Sequence, residues 1–535
     1  RPNGGNGDTW RGGGGGGRIS VAYTTLSGRP PIRFSTAPGT STFIVKPYLA
    51  DRGTLYLPDA GLLSGSLVSN QFSQVDLYFP ALTSWGVNSL TVSNCSLRIA
   101  QPNFTVRVTN SLLVTTSGEF GSCNLLCGGN VVLTNGGQLA IMAGPTNSPV
   151  PGYGGLLSVT GTVTIANTSW LYPYSDPTNG ATPLLQMSNL YVRAGGGIDA
   201  DANGYKAAFG PGAGIDSQRR TGGGYGGAGG YGSFGKIAAG PAGQPYGAAA
   251  DPRFPGSGGG IADYGGFGGG AIRVQASGTV TIHGTLTANG GRYVSALYAG
   301  GSGGGIKINC NTLAGSNTGL LRADGGNGSP SLGGGGGGGR IAVQYTQTSG
   351  GVWPGIRFST VPGVGYSHLP FNARQGTVYL PNTACLSQNM RSNLFTSVDL
   401  VIPGFTNWAV GSLTVSNCSF RFTPTNFVLR VTNNLTIGPN GVLGVCDVRC
   451  GGNLQLSGGG KLNVYALPTN STTRPGNGAL VAVTNSMTVG ASSWVYAWSD
   501  SYSGGSPLFR MQDLTVNTGG GFDATATGYR GNRGK

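Results

Sequence analysis

The chain has 535 residues, of which 103 are glycine and only 9 % are charged, and its formal net charge is +15. Glycine far exceeds its usual share of about 7 % without a Gly-X-Y period, which excludes collagen, while abundant Val, Ile, Leu, Thr, Tyr and Phe exclude a wholly disordered chain. The basicity reflects scarce acids (Glu119 is the one glutamate) and arginines scattered singly apart from Arg219–Arg220, so no nucleic-acid-binding stripe is expected, and no window of about 18 apolar residues offers a membrane span.

Taken in order, the elements repeat. RPNGGNG (1–7) precedes a glycine run and an alternating strand in RGGGGGGRISVAYT (11–24), and IRFST (32–36), GTLYLP (53–58) and VDLYFP (75–80) follow. SLTVSNCS (89–96), TSWLYPYSD (168–176) and GGGIDADANGY (195–205) complete a first module over 1–207. A glycine-rich connector occupies 208–270, and short glycine-loop rungs occupy 271–322. Over 323–535 the module is read again, with IRFST at 356–360, GTVYLP at 376–381, VDLVIP at 398–403, SLTVSNCS at 412–419, SSWVYAWSD at 492–500 and GGGFDATATGY at 519–529. Of the 47 positions from Ser84 to Asn130, 25 are identical at an offset of 323. A finer period sets Ile272, Ile306 and Ile341 34 and 35 residues apart. The ragged phase at both ends points to a processed or partial product of a longer array.

The strands alternate with period two, as in Ile272-Arg-Val-Gln-Ala and Leu462-Asn-Val, so one face enters a core and the other meets solvent. They are short and separated by Gly, Asn, Ser and Pro, and no segment shows helical periodicity with caps. A short strand cannot bury its inward face alone. Stacking rungs about 4.8 Å apart turns those faces into a continuous core, which predicts an all-β parallel β-helix or solenoid; a tandem β-sandwich array is the alternative. The rhythm of LTIGPNGVLGV (435–445) and LQLSGGGKLNV (454–464) resembles right-handed parallel β-helix passengers of bacterial extracellular, glycine-rich surface proteins of the adhesin or surface-fibre type. The runs at 222–235 and 256–270 are punctuated by Tyr, Phe and Ile, so an ordered, polyglycine II-like packing is expected rather than a free linker. Such layers look like those at the tips of some phage tail-fibre adhesins.

Parts for catalysis are few, and no catalytic residue is assigned. His283 lies on the outward side of a strand and His368 in a loop, with no nucleophile or carboxylate set beside either. Asp199 and Asp201 in Gly-Ile-Asp-Ala-Asp-Ala-Asn-Gly suggest a weak Ca²⁺ loop, but the second copy has Thr525 and Thr527 where the first has Asp201 and Asn203, so an Asx turn is favoured and no metal is expected. Strings of the GxGxxG kind arise from composition, so no cofactor is expected.

Cys95, Cys123 and Cys127 recur as Cys418, Cys446 and Cys450; Cys310 is extra, and Cys385 replaces Leu62. Local disulfides Cys123–Cys127 and Cys446–Cys450 are expected, in an oxidising compartment, with Cys95, Cys385 and Cys418 as buried small residues. Candidate glycosylation sites are Asn94, Asn103, Asn167, Asn327, Asn417, Asn434 and Asn470. Trp85 and Trp408, and Trp170 and Trp494, correspond between the copies and form a candidate aromatic ladder, or a sugar contact where exposed.

These readings predict a secreted, non-catalytic structural subunit of an extracellular filament, sheath or surface fibre whose partners are copies of itself. A glycan- or surface-binding adhesin, with acidic polysaccharide or a cell surface as partner, is the alternative, and a β-helix polysaccharide lyase or hydrolase is a remote third.

Overall fold

A computed structural model describes residues 1–7, 13–28, 30–40, 50–144, 152–215, 220–232, 242–260, 265–292, 298–366, 372–424, 426–468 and 477–529. Over these the chain is all-β; the one helical piece among them is the 3₁₀ turn Ser349–Gly351. The ladders between strands are parallel, and a single isolated bridge, Ala248 with Asp251, is antiparallel. A tandem β-sandwich, which needs antiparallel sheets, is therefore not the architecture.

Two compact units divide the chain. The first comprises 1–356 with 362–367 and 372–376; the second comprises the remainder to 535. In the first unit one ladder runs through Arg18–Ser20, Gly53–Tyr56, Val75–Tyr78, Ser96–Ile99, Glu119–Ser122, Gln138–Met142, Trp170–Tyr174, Gly197–Asp199, Thr285–Thr287 and Leu320–Arg322. A second joins Ser84–Val87, Thr105–Val108, Asn124–Cys127, Gly155–Ile165, Pro183–Val192, Ala271–Ala276, Gly305–Gly315 and Arg340–Thr348. A third joins Ser66–Leu67, Leu90–Ser93, Leu112–Thr115 and Val131–Leu133, and continues through the far halves of the long strands and Thr279–Ile282. The second unit repeats three ladders, of which one runs Val398–Val401, Ser419–Phe422, Val442–Val445, Lys461–Tyr465, Trp494–Trp498 and Gly521–Asp523.

Register aligns the inward residues in columns. Val75, Leu97, Phe120, Leu139, Leu171, Ile198, Leu286 and Leu321 pair one after another, and all are fully buried. Each contributes about 1.5–3 kcal/mol of burial, which is how strands of three to five residues hold together. The corners turn through left-handed residues, placed alike in both copies: Ser69, Asn70, Gln74 and Asn94 (φ 64, 58, 52 and 48°) recur as Ser392, Asn393, Ser397 and Asn417 (φ 65, 53, 51 and 48°). Asn tolerates this region better than most residues. Ring stacks repeat as well, Phe34 on Phe72 and Phe358 on Phe395, both at 5.8 Å.

The described glycine runs of the first unit are not a free linker. Their backbones bond side by side: Gly223 N–H donates to Gly300 O, Gly300 to Gly334, Gly337 to Gly223, Gly336 to Gly326 and Gly363 to Gly336, at 2.7–3.0 Å. A Cβ on Gly336 would lie 1.9 Å from Gly301 O, and one on Gly222 1.9 Å from Gly335 O. Only a bare backbone allows that approach. The packing also explains why the spatial division ignores the repeat boundary at 323. The glycines at 333–339 begin the second sequence copy, yet they bond to connector residues and so belong to the first unit.

Candidate functional site

The cysteines depart from expectation. All eight are buried. Cys123 ends a corner and Cys127 ends the extended strand Asn124–Cys127, so four residues at about 3.3 Å each hold their Cα atoms about 13 Å apart, beyond the reach of roughly 7 Å for a disulfide. The same geometry keeps Cys446 from Cys450 across the strand Asp447–Cys450. The thiols instead donate to backbone carbonyls: Cys123 to Gly154 at 3.4 Å, Cys127 to Asn110 at 3.5 Å, and Cys450 to Asn433 and Asn453 at 3.3 Å. The disulfide argument for an oxidising compartment falls with these pairings. Burial pushes the thiol of Cys95 up to about 11 and those of Cys310, Cys385 and Cys418 up to about 12. Reactivity needs the thiolate, so a thiol reagent at pH 8 is expected to label none of the eight in the native protein within minutes and all eight after unfolding without reductant. An intact mass short by two protons per bridge would contradict this.

Asn94, Asn103, Asn167, Asn327, Asn417 and Asn434 are all exposed; Asn470 lies outside the described residues, as does His368. Asn327 Oδ1 accepts from Val364 N, and Asn417 Oδ1 accepts from Asn440 Nδ2 at 3.2 Å. The tryptophans do not form a ladder with one another. Trp85 and Trp408 turn inward, and Trp408 meets Phe422 edge-on. Trp170 and Trp494 cover Gly197 and Gly521, where a Cβ would come within 2.6 and 2.9 Å of the indole. His283 Nδ1 lies 2.9 Å from Ser316 Oγ, and its ring packs edge-on against Tyr191.

Asp199 makes the expected Asx turn, accepting from Asp201 N at 2.8 Å, and Asp523 accepts from Thr525 N in the same way. Asp201 is an acceptor within a corner column. It receives Thr287 Oγ1 and Asn289 N at 2.6 Å and Asn289 Nδ2 at 3.0 Å, while Asn289 Oδ1 receives Asp324 N. Burial raises its carboxyl above the usual range. No group of three or more His, Cys, Asp or Glu among the described residues could hold a metal ion.

The polar feature that sequence reading missed lies on the outward side of the second ladder in the first unit. Register stacks Ser158, Gln186, Gln275, Asn309 and Gln344 in one column. Gln186 Nε2 donates to Gln275 Oε1 at 3.0 Å and Gln344 Nε2 to Ala250 O at 3.1 Å, whereas Asn309 Oδ1 is buried with no partner. Such an orphan acceptor costs about 1–3 kcal/mol. The column borders an open groove of about 510 Å³ whose apolar floor includes Met187 and Ala276. Two residues along the same strands, Arg273 and Lys307 pair in register. Lys307 Nζ lies 2.6 Å from Asp251 Oδ1, and Arg253 also pairs with Asp251. Burial would raise the Asp251 carboxyl, but its bonds to Arg253 and Lys307 win and hold it below the usual range. Arg273 Nη1 donates to Gly152 O at 2.6 Å and Thr182 Oγ1 at 3.1 Å, and its Nε is buried without a partner. Two cations, Arg253 and Lys307, thus pair with one carboxylate, and Arg273 stands beside Lys307 in register. The second unit has an outward groove of about 520 Å³ bordered by Arg391, Ser392, Thr414, Ser416, Asn417 and Thr436.

Comparison with protein-family models, with curated proteins and with solved structures returns no match for the chain.

Proposed function

We propose that each unit is a parallel β-helix and that the chain is a non-catalytic structural subunit of an extracellular filament, sheath or surface fibre, associating with copies of itself. One observation carries this reading. The glycine layer occurs twice with the same bonds: Gly14 N–H donates to Gly5 O and Gly39 to Gly14, as Gly336 donates to Gly326 and Gly363 to Gly336. In the second occurrence the glycines at 333–339 are buried under other glycine backbones; in the first, Gly5, Gly14 and Gly15 are exposed. An open face of the kind that elsewhere packs backbone to backbone is suited to self-association. The exposed sequon asparagines agree with an extracellular setting.

Purified protein at rising concentration should form regular fibres visible by negative-stain electron microscopy, and Gly14→Val should reduce them. A sharp monomer in sedimentation at high concentration, with no fibres on the grid, overturns the reading.

A further inference from the structure

We propose that the outward face of the second ladder in the first unit binds an acidic polysaccharide, with Gln275 and Asn309 meeting sugar hydroxyls and the Arg273–Lys307 pair meeting the sugar's acidic group. The assignment is independent of filament formation.

Three features point to this ligand class. First, the amides of Gln186, Gln275 and Asn309 stand in one column with a rung spacing of about 4.8 Å, and a planar amide offers both a donor and an acceptor to a diol. Asn309 lines the groove, and its Oδ1 is buried without a protein partner, so turning that amide outward onto a sugar hydroxyl breaks no hydrogen bond of the oxygen. Second, Arg273 and Lys307 precede Gln275 and Asn309 by two positions on the same strands, about 7 Å away. That span matches one sugar ring with its carboxylate or sulfate. Third, Arg253 and Lys307 pair with Asp251, and Arg273 lies close enough to feel its charge; this local excess of two positive charges draws an anionic polymer rather than a neutral one.

The test uses the whole chain, fluorescently labelled oligogalacturonate as probe, and dextran as the neutral control. Oligogalacturonate should bind saturably, dextran should not, and binding should weaken as salt rises from 50 to 500 mM on the order expected for exposed charge contacts. The double variant Gln275→Ala/Asn309→Ala and the single variant Arg273→Ala should each weaken binding about tenfold, equivalent to roughly one lost charge-assisted or paired hydrogen bond, with unchanged circular dichroism. If Arg273→Ala does not fold, the double variant decides. The proposal fails if oligogalacturonate binds no better than dextran, or if the double variant binds as tightly as the parent.

Discussion

Gly336→Ala is expected to destabilise the first unit by about 3 kcal/mol or more, the range of severe overpacking. The added methyl would sit 1.9 Å from Gly301 O and 2.4 Å from Gly301 C. Both atoms belong to backbone, and Gly301 O is held by Gly326 N at 2.8 Å, so no side chain can swing aside. Relief requires parting glycine chains that bond on several sides, and each broken bond leaves buried polar groups unmatched. The measurement is the thermal midpoint together with limited proteolysis, because unfolding of a chain this long is not a simple two-state event. Gly86→Ala is the control. It lies on the strand Ser84–Val87 with open space where its Cβ would be, and alanine there should be neutral or slightly stabilising, by about 0.5 kcal/mol. If the two variants melt alike, the glycine layers do not pack as described.

Ile306→Ala should cost about 2–5 kcal/mol and Ile306→Val about 0.5–1.5 kcal/mol. Ile306 stands between Ile272 and Ile341 in the parallel register, and all three are fully buried. Truncation opens a cavity that the rungs above and below cannot close without breaking register. Thr281→Ala, on the outward side of Thr279–Ile282, should stay within about 0.5 kcal/mol. Denaturant unfolding of the three variants measures the ordering; an Ile306→Ala protein as stable as the Thr281→Ala protein would mean that the isoleucine column is not a core.

The isoleucine column illustrates what local pattern conveys. Its spacing of 34 and 35 residues and the alternation around each member mark the rung length, the inward face and the strand positions. The corner asparagines are legible for the same reason: backbone preference at Asn94 and Asn417 is a local property. The cysteines are the converse case. A C-x₃-C pair invites a bridge on paper, but an extended strand separates its two thiols, and the sequence carries no sign of that until the corner is placed before Cys123 rather than between the two. The tryptophans repeat faithfully, yet whether each turns inward or lies over a glycine depends on the neighbouring rung.

The groove was beyond sequence reading because its parts are remote from one another. Gln186 and Gln275 are 89 residues apart, separated by the glycine connector, and nothing in either segment marks the other as its neighbour. Asp251 reaches Lys307 across 56 residues for the same reason.

By itself the sequence determined the all-β class, the duplication at an offset of 323 and the alternating inward stripe, since each follows from residue preference and periodicity over a few positions. The tertiary structure alone decided that the connector's glycines bond to those of the second copy, that the thiols stay apart, and that amides and cations share one outward face. Those outcomes depend on which rung lies against which, and that is fixed by stacking register and by backbones approaching closely enough to exclude every side chain.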